Sequence, residues 1–327
     1  MTHTHLITGA SGQDGIWLTR HLLGRGQRVV AGVSANTDPG RLGYLAGAEV
    51  RPLDVRDASA VRALVTETEA DVVHNLAALS SVGDSWDGPD LVDEINRAAV
   101  EDLVTVLADC PREVTLVHAS SAEVFGPVAG GVVDEDTPLA PVSPYGIAKA
   151  AAHRAVAAAR ADGLRSTNLI LFGHTSPLHA ARFAIPTLVR QAAEVGLGSR
   201  DKLALRDPTT TRDWGSAADY VRAFALAAEG PAGDYVIATG RLHALAELGA
   251  WALAAAGVDD HEVTTSGAPA RPGDFDRVLA DPTRAATTLG WRSTIPLDSE
   301  VRRMVRVEQT RLTTGVLHDP AYLEDIG

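Results

Sequence analysis

Leu6-Ile7-Thr8-Gly9-Ala10-Ser11-Gly12-Gln13-Asp14-Gly15, running directly into the apolar-rich stretch 16–23, reads as strand, turn and helix in immediate succession. That context gives the glycine spacing its meaning. Gly9 permits a tight turn, Gly12 lets the backbone approach a pyrophosphate, and Gly15 allows close helix–strand packing. The first helical N–H groups and the helix dipole then hold the negative charge. Gly9, Gly12, Gln13, Asp14 and Gly15 are the first expected cofactor contacts.

Outward from that stretch, short apolar runs alternate with helical patterns, as in a parallel sheet flanked by helices. Strands are expected at 28–33, 49–53, 71–76, 114–119 and 164–171, with a helix near 90–108. The expected fold class is α/β: a doubly wound parallel (Rossmann) sheet that binds ligands at the carboxyl ends of its strands. After residue 173 the regularity weakens, and Pro177, Pro186 and Pro208 interrupt the chain. A smaller mixed C-terminal substrate lobe is expected there, with helices near 244–256 and 298–313. Residues 234–238 read as a late strand returning to the main sheet. The expected division is a dinucleotide-binding domain over 1–172 with a returning segment near 213–242, and a substrate lobe from 173–212 and 243–327.

Composition narrows the partners. At 327 residues the chain can bury a full core, and 45% hydrophobic with 22% charged residues is ordinary for a globular protein. A net charge of −13 argues against nucleic acid or an anionic membrane as partner, so phosphates must be held by local devices. Cys110 is the single cysteine, which excludes an internal disulfide and suits a reducing cytoplasm. No apolar run reaches membrane-spanning length, and Met1-Thr2-His3-Thr4-His5 runs straight into a strand without room for a signal peptide. No metal site is expected; His3 and His5 read as a frayed terminus.

The cofactor's identity stays open. An acid ending the second strand marks NAD, and an arginine there marks NADP. Gly32-Val33-Ser34-Ala35-Asn36-Thr37-Asp38 has no acid before Asp38, and no arginine comes before Arg41. A tightly bound NADP or NAD is expected. Asp54 and Val55 are placed to flank the adenine, although Asp54 reads equally as a turn acid. Leu76, Ala77 and Ala78 are placed to line the ribose.

The reacting groups come next. In Ser143-Pro144-Tyr145-Gly146-Ile147-Ala148-Lys149, serine is a cap candidate and proline occupies the first helical turn. Tyr145 and Lys149, spaced i, i+4, then share one face. A lysine ammonium beside a phenol favours the phenolate, so the tyrosine can act as a base. Ser121 closes the strand expected at 114–119, where its hydroxyl can bond the oxygen that Tyr145 deprotonates, and Glu123 lies two residues on. Ser121, Glu123, Tyr145 and Lys149 are the expected catalytic set, with Tyr145 and Lys149 also counted as cofactor contacts.

These residues, in this order, resemble the extended short-chain dehydrogenase/reductase family of nucleotide-sugar enzymes, and most closely the GDP-mannose 4,6-dehydratases. Gly12-Gln13-Asp14-Gly15, Arg212-Asp213-Trp214 and 235–240 carry the resemblance best; Ile170-Leu171-Phe172 with His174, Asp219-Tyr220-Val221 and Arg271-Pro272 extend it. The resemblance implies an NAD(P)-dependent lyase. Tyr145 with Lys149 would take the C4 hydroxyl proton as C4 hydride passes to the nicotinamide. Glu123 would then remove the acidified C5 proton as the C6 hydroxyl leaves, and hydride would return to C6. Arg212 and Arg271 match positions that bind the nucleotide diphosphate, and Ser80, Ser121 and His174 complete the expected substrate set. Ser121 stands for the family's threonine, Ala122 for its serine, and Gly173 for an asparagine that contacts the substrate phosphate. Leu178-His179-Ala180-Ala181-Arg182 lacks the Arg-Arg-Gly-Glu that reaches a neighbouring subunit, so a homodimer is expected rather than a tetramer. A C4 epimerase, a 4-keto reductase and a non-catalytic nucleotide sensor are the alternatives.

Overall fold

A computed structural model describes residues 2–128, 131–258, 263–267 and 278–324. Seven strands form the central sheet: β1 (Thr4–Thr8), β2 (Arg28–Val33), β3 (Glu49–Pro52), β4 (Val72–Asn75), β5 (Thr115–Ser121), β6 (Ser166–Leu171) and β7 (Asp234–Ile237). Their order is β3-β2-β1-β4-β5-β6-β7, with every pairing parallel. Strands so placed are covered on both faces and can be apolar throughout. Leu6, Val30, Val73 and Leu116 accordingly pack on one side, against α2 (Ala58–Glu67), α3 (Ala99–Ala108) and α4 (Pro144–Ala161). Ile7, Ala31 and Val117 pack on the other, against Trp17 of α1 (Gln13–Gly24) and Tyr220 and Phe224 of α6 (Ala217–Glu229).

A separate core joins α5 (Ala184–Gly196), α7 (Leu245–Ala255) and α8 (Leu297–Thr314) through Leu188, Leu248 and Val301. A three-stranded sheet of Gly173–Thr175, Thr211–Ser216 and Leu242–Ala244 stands between this core and the carboxyl edge of the main sheet, pairing Trp214 with Gly173 and Arg212 with His243. The late strand expected at 234–238 is β7, the outermost strand beside β6.

Two features depart from the expected elements. β5 runs on to Ser121, which is still in register with Leu171. The helix expected near 90–108 is present, but its middle turn, Glu94–Ala98, widens into a π-helix between Pro89–Asp93 and α3. The widening accompanies Asn96, which is buried and bonds both the N–H and the C=O of Leu79, at 2.9 and 3.0 Å.

A row of polar residues crosses the sheet in register: Thr8, Asn75, His118, Asn168 and Asp234, from β1 to β7. Thr8 Oγ1 donates to Asn75 Oδ1 at 2.7 Å, Asn75 Nδ2 to His118 Nδ1 at 3.0 Å, and Asn168 Nδ2 to Asp234 Oδ1 at 3.0 Å.

Candidate active site

The glycine loop is tight for reasons visible at each position. Gly9 has φ +68, and a Cβ there would lie 2.8 Å from the Cα of Ala77. A Cβ on Gly15 would lie 2.5 Å from both Ala10 Cα and the Gly9 carbonyl oxygen. Gly12 caps α1 with no side chain closing the helix, so the first N–H groups face outward from an exposed glycine. This cradle, open at a positive helix end, suits a dinucleotide pyrophosphate. Leu76 and Ala77 lie directly beyond it, held by bonds to Thr8, while Ala78 and Ser80 are exposed at the mouth of β4.

Across the mouth stands α4. Ser143 caps it by accepting the Gly146 N–H at 3.0 Å, with Pro144 in the first turn. Tyr145 and Lys149 both face inward and are buried. Tyr145 shares a hydrogen bond with Ser121, whose hydroxyl also accepts the Glu123 N–H at 3.2 Å. Burial pushes the phenol up to about 12 despite the Ser121 bond, with the Glu123 charge adding to the rise. Lys149 donates to the Ala119 carbonyl, and burial pulls its amine down to about 7. Near neutral pH the phenol is therefore neutral and the lysine only partly charged. The phenolate expected from a neighbouring ammonium is not populated, because desolvation penalises both charged forms.

The structure links Asp14 with His174. His174 Nδ1 donates to the Phe172 carbonyl at 2.7 Å, and Nε2 to the Asp14 carboxylate at 2.9 Å. With an acceptor at each nitrogen the ring is an imidazolium. Burial opposes that charge, but Asp14 outweighs it and raises the histidine above its usual value, while Asp14 is lowered in turn. Gln13 Oε1 accepts from Ser176 Oγ at 2.8 Å. Gln13, Asp14 and His174 thus brace the glycine loop against the 174–176 segment. The exposed Asp54 carboxylate is held by Arg56 at 2.7 and 2.9 Å. Val55 lines a small cavity with Thr8, Asn75 and Ile95. Arg212 lies half-buried, donating to the Thr211 carbonyl at 3.0 Å, whereas Arg271 falls outside the described residues.

A loop cradle for pyrophosphate facing a Tyr–Lys helix and a Ser–Glu strand end is an arrangement for alcohol oxidation beside a bound dinucleotide. Residues 6–304 match the family model described as GDP-mannose 4,6 dehydratase. The chain belongs to the GDP-mannose 4,6-dehydratase family. It is 33% identical to GDP-mannose 4,6 dehydratase 2 of Arabidopsis thaliana, over 98% of this chain and 90% of that one. Identity to the GDP-mannose 4,6 dehydratase of Homo sapiens is 29%, over 95% of this chain and 92% of that protein. Among solved structures, a UDP-glucose 4-epimerase of Thermus thermophilus in complex with NAD superposes with a TM-score of 0.82 at 27% identity, covering 94% of this chain and 99% of that one.

Against the dehydratase pattern, Gly173 has a structural reason. A Cβ there would meet Trp214 at 2.4 Å from Cδ1, so in this backbone the indole fills the space that an asparagine side chain would need. Asn96, Arg41 and the Ser11–Thr37 hydroxyl pair, joined at 2.9 Å, also shape the mouth and were not expected from the sequence. Asn96 does carry a signal, an amide at an inward position of an otherwise apolar helix face.

Proposed function

We propose that the protein is a nucleotide-sugar 4,6-dehydratase acting through bound NAD(P), with GDP-mannose or a close relative as substrate and the 4-keto-6-deoxy sugar as product. The observation that carries this reading is the meeting of Ser121, Glu123, Tyr145 and Lys149 at the carboxyl end of β5, opposite the glycine cradle. The nicotinamide, when bound, supplies a hydride acceptor for C4 and a donor for C6. Tyr145 removes the C4 hydroxyl proton, with Ser121 bonding the same oxygen. The resulting ketone acidifies C5; Glu123 takes that proton and passes it to the C6 hydroxyl, which departs as water. C5 regains a proton, the one Tyr145 removed from the C4 hydroxyl, as hydride reaches C6. Each positioned acid or base contributes about 10²–10⁴-fold. Lys149 sits at its protonation midpoint near neutral pH and can supply the positive charge that a phenolate requires.

Leu76, Ala77 and Ala78 line the cofactor ribose, and Ser80, Arg212 and Arg271 hold the sugar nucleotide. The chain divides into a dinucleotide-binding domain over 1–172 with the segment 213–242, and a substrate lobe from the remainder. A homodimer in the cytoplasm is the working form, supported by a 178–182 segment without the Arg-Arg-Gly-Glu that reaches a neighbouring subunit and by a free Cys110, which suits a reducing compartment.

The test is GDP-mannose carrying deuterium at C4. Loss of water with the label arriving at C6 is the expected result. Unchanged substrate across GDP-, UDP-, CDP- and dTDP-sugars sinks the reading, and C4 inversion without water loss makes the protein an epimerase.

A further inference from the structure

We propose that Trp214 is a substrate contact: its indole N–H donates to a phosphate oxygen of the sugar nucleotide, over the position where Gly173 leaves out a side chain. The proposal rests on the nucleotide-sugar reading above and adds a residue that selects within that site.

The strand Thr211–Ser216 turns alternate side chains to opposite faces. Asp213 is buried on one of them, where its carboxylate accepts the Thr239 hydroxyl at 2.7 Å and the Gly240 N–H at 2.8 Å. That anchor commits Arg212 and Trp214 together to the other face. The Trp214 ring packs on the lobe core of α5, α7 and α8. Its pyrrole edge lies over Gly173 of the paired strand: a Cβ there would be 2.4 Å from Cδ1 and 2.8 Å from Nε1. Gly173 itself is exposed, so this edge of the indole borders open space rather than packed interior. A side chain at 173 would push the indole aside, and the two positions therefore act as one unit.

An indole nitrogen donates and cannot accept. Trp291 Nε1, fully buried, donates to the Asp219 carbonyl at 2.9 Å. Trp214 Nε1 donates to nothing among the described residues, and it is not one of their sealed, unpartnered polar atoms. Its neighbours say what it faces. His174, next to Gly173, bonds Asp14, and Asp14 is close enough to Tyr145 for its charge to raise the phenol. A run of contacts thus leads from the reacting phenol through Asp14 and His174 to Gly173 and the indole edge. Arg212 stands two residues earlier on the same face of the strand. A donor-only group between a guanidinium and the reacting end of the sugar suits the phosphate that carries the sugar. In a chain of net charge −13 that phosphate gains no diffuse attraction and must be met by placed donors.

The rival role is packing alone, with the indole serving only the lobe core. Substrate affinity separates the two. Full-length protein with its cofactor is assayed with GDP-mannose, titrated calorimetrically with GDP, and melted. Trp214→Phe keeps an aromatic ring on the lobe core and deletes the N–H. It should raise KM for GDP-mannose and Kd for GDP by about tenfold to a hundredfold, the range for one hydrogen bond to a charged group, with the loss falling on KM rather than kcat. Gly173→Ala, which keeps Trp214 but displaces its edge, should weaken both in the same way. The double variant should be no worse than the weaker single one, because both remove the same contact. Unchanged KM and Kd in Trp214→Phe, whatever its melting temperature, overturns the proposal. So does a Gly173→Ala protein that binds GDP as wild type does; this arm decides the matter if Trp214→Phe fails to fold. Wild-type protein that binds none of GDP, UDP, CDP and dTDP and converts none of their sugars removes the nucleotide-sugar site itself.

Discussion

At the scale of single residues, the chemistry depends on two buried groups that resist their charges. Tyr145→Phe deletes a hydroxyl whose bond is to Ser121. It should leave thermal stability nearly unchanged and lower turnover of a GDP-sugar by about 10²–10⁴-fold or more; a mild loss of rate would point to another base. Lys149 gives a second prediction. Its folded value of about 7 lies below the ordinary 10.5, so between those values the unfolded chain binds the extra proton. Wild-type stability therefore rises with pH through that window. Lys149→Met should melt higher than wild type at pH 7, with the difference shrinking toward about pH 10; a pH-independent difference would mean that the amine is not strained. The Tyr-x-x-x-Lys spacing, the Ser143 cap and the glycines were all legible in the sequence, because each follows from local geometry. The fates of Asp54 and His174 were not. Nothing in the spacing shows that Arg56 takes the first, or that Asp14, 160 positions away, takes the second.

At the scale of elements, three links tie the head of α1 and its neighbour to the segment after β6: Asp14 to His174, Gln13 to Ser176, and Arg41 to Leu178. The two sides of the cleft are thus joined through hydrogen bonds. The ion pair has a definite pH range. The raised His174 contributes fully below its unfolded value near 6.5 and is lost as pH rises through its folded value. The lowered Asp14 contributes above its unfolded value near 3.8. The stability gap between wild type and Asp14→Asn, followed by thermal unfolding, should be widest between those limits and narrow at alkaline pH. The π-turn Glu94–Ala98 makes a comparable demand. Asn96→Leu would leave both polar groups of Leu79 without their partner, and should cost about 1–3 kcal/mol in denaturant unfolding and weaken nucleotide binding. A helix was expected here, but its extra residue per turn was not. Apolar periodicity reports which face is inward, whereas the widening answers to a single amide on a distant loop.

At the scale of the whole molecule, the parallel sheet was readable because alternating apolar runs are its own signature, while the three-stranded sheet was not, since strands as short as Gly173–Thr175 carry no pattern. Analytical ultracentrifugation should show a dimer; a tetramer would mean that the segment 178–182 leaves its own subunit on assembly. The polar row across β1, β4, β5, β6 and β7 has a consequence for how the sheet assembles. Apolar strands buried on both faces can slide past one another with little penalty, since one valine replaces another. Side chains alternate along a strand, so a slip of one residue would turn Asn75 or Asn168 to the opposite face and strand its amide among hydrocarbon. The row therefore penalises misalignment at four successive pairings. It works as a vernier for the folding chain, and it ends at Thr8, the residue from which the glycine loop departs.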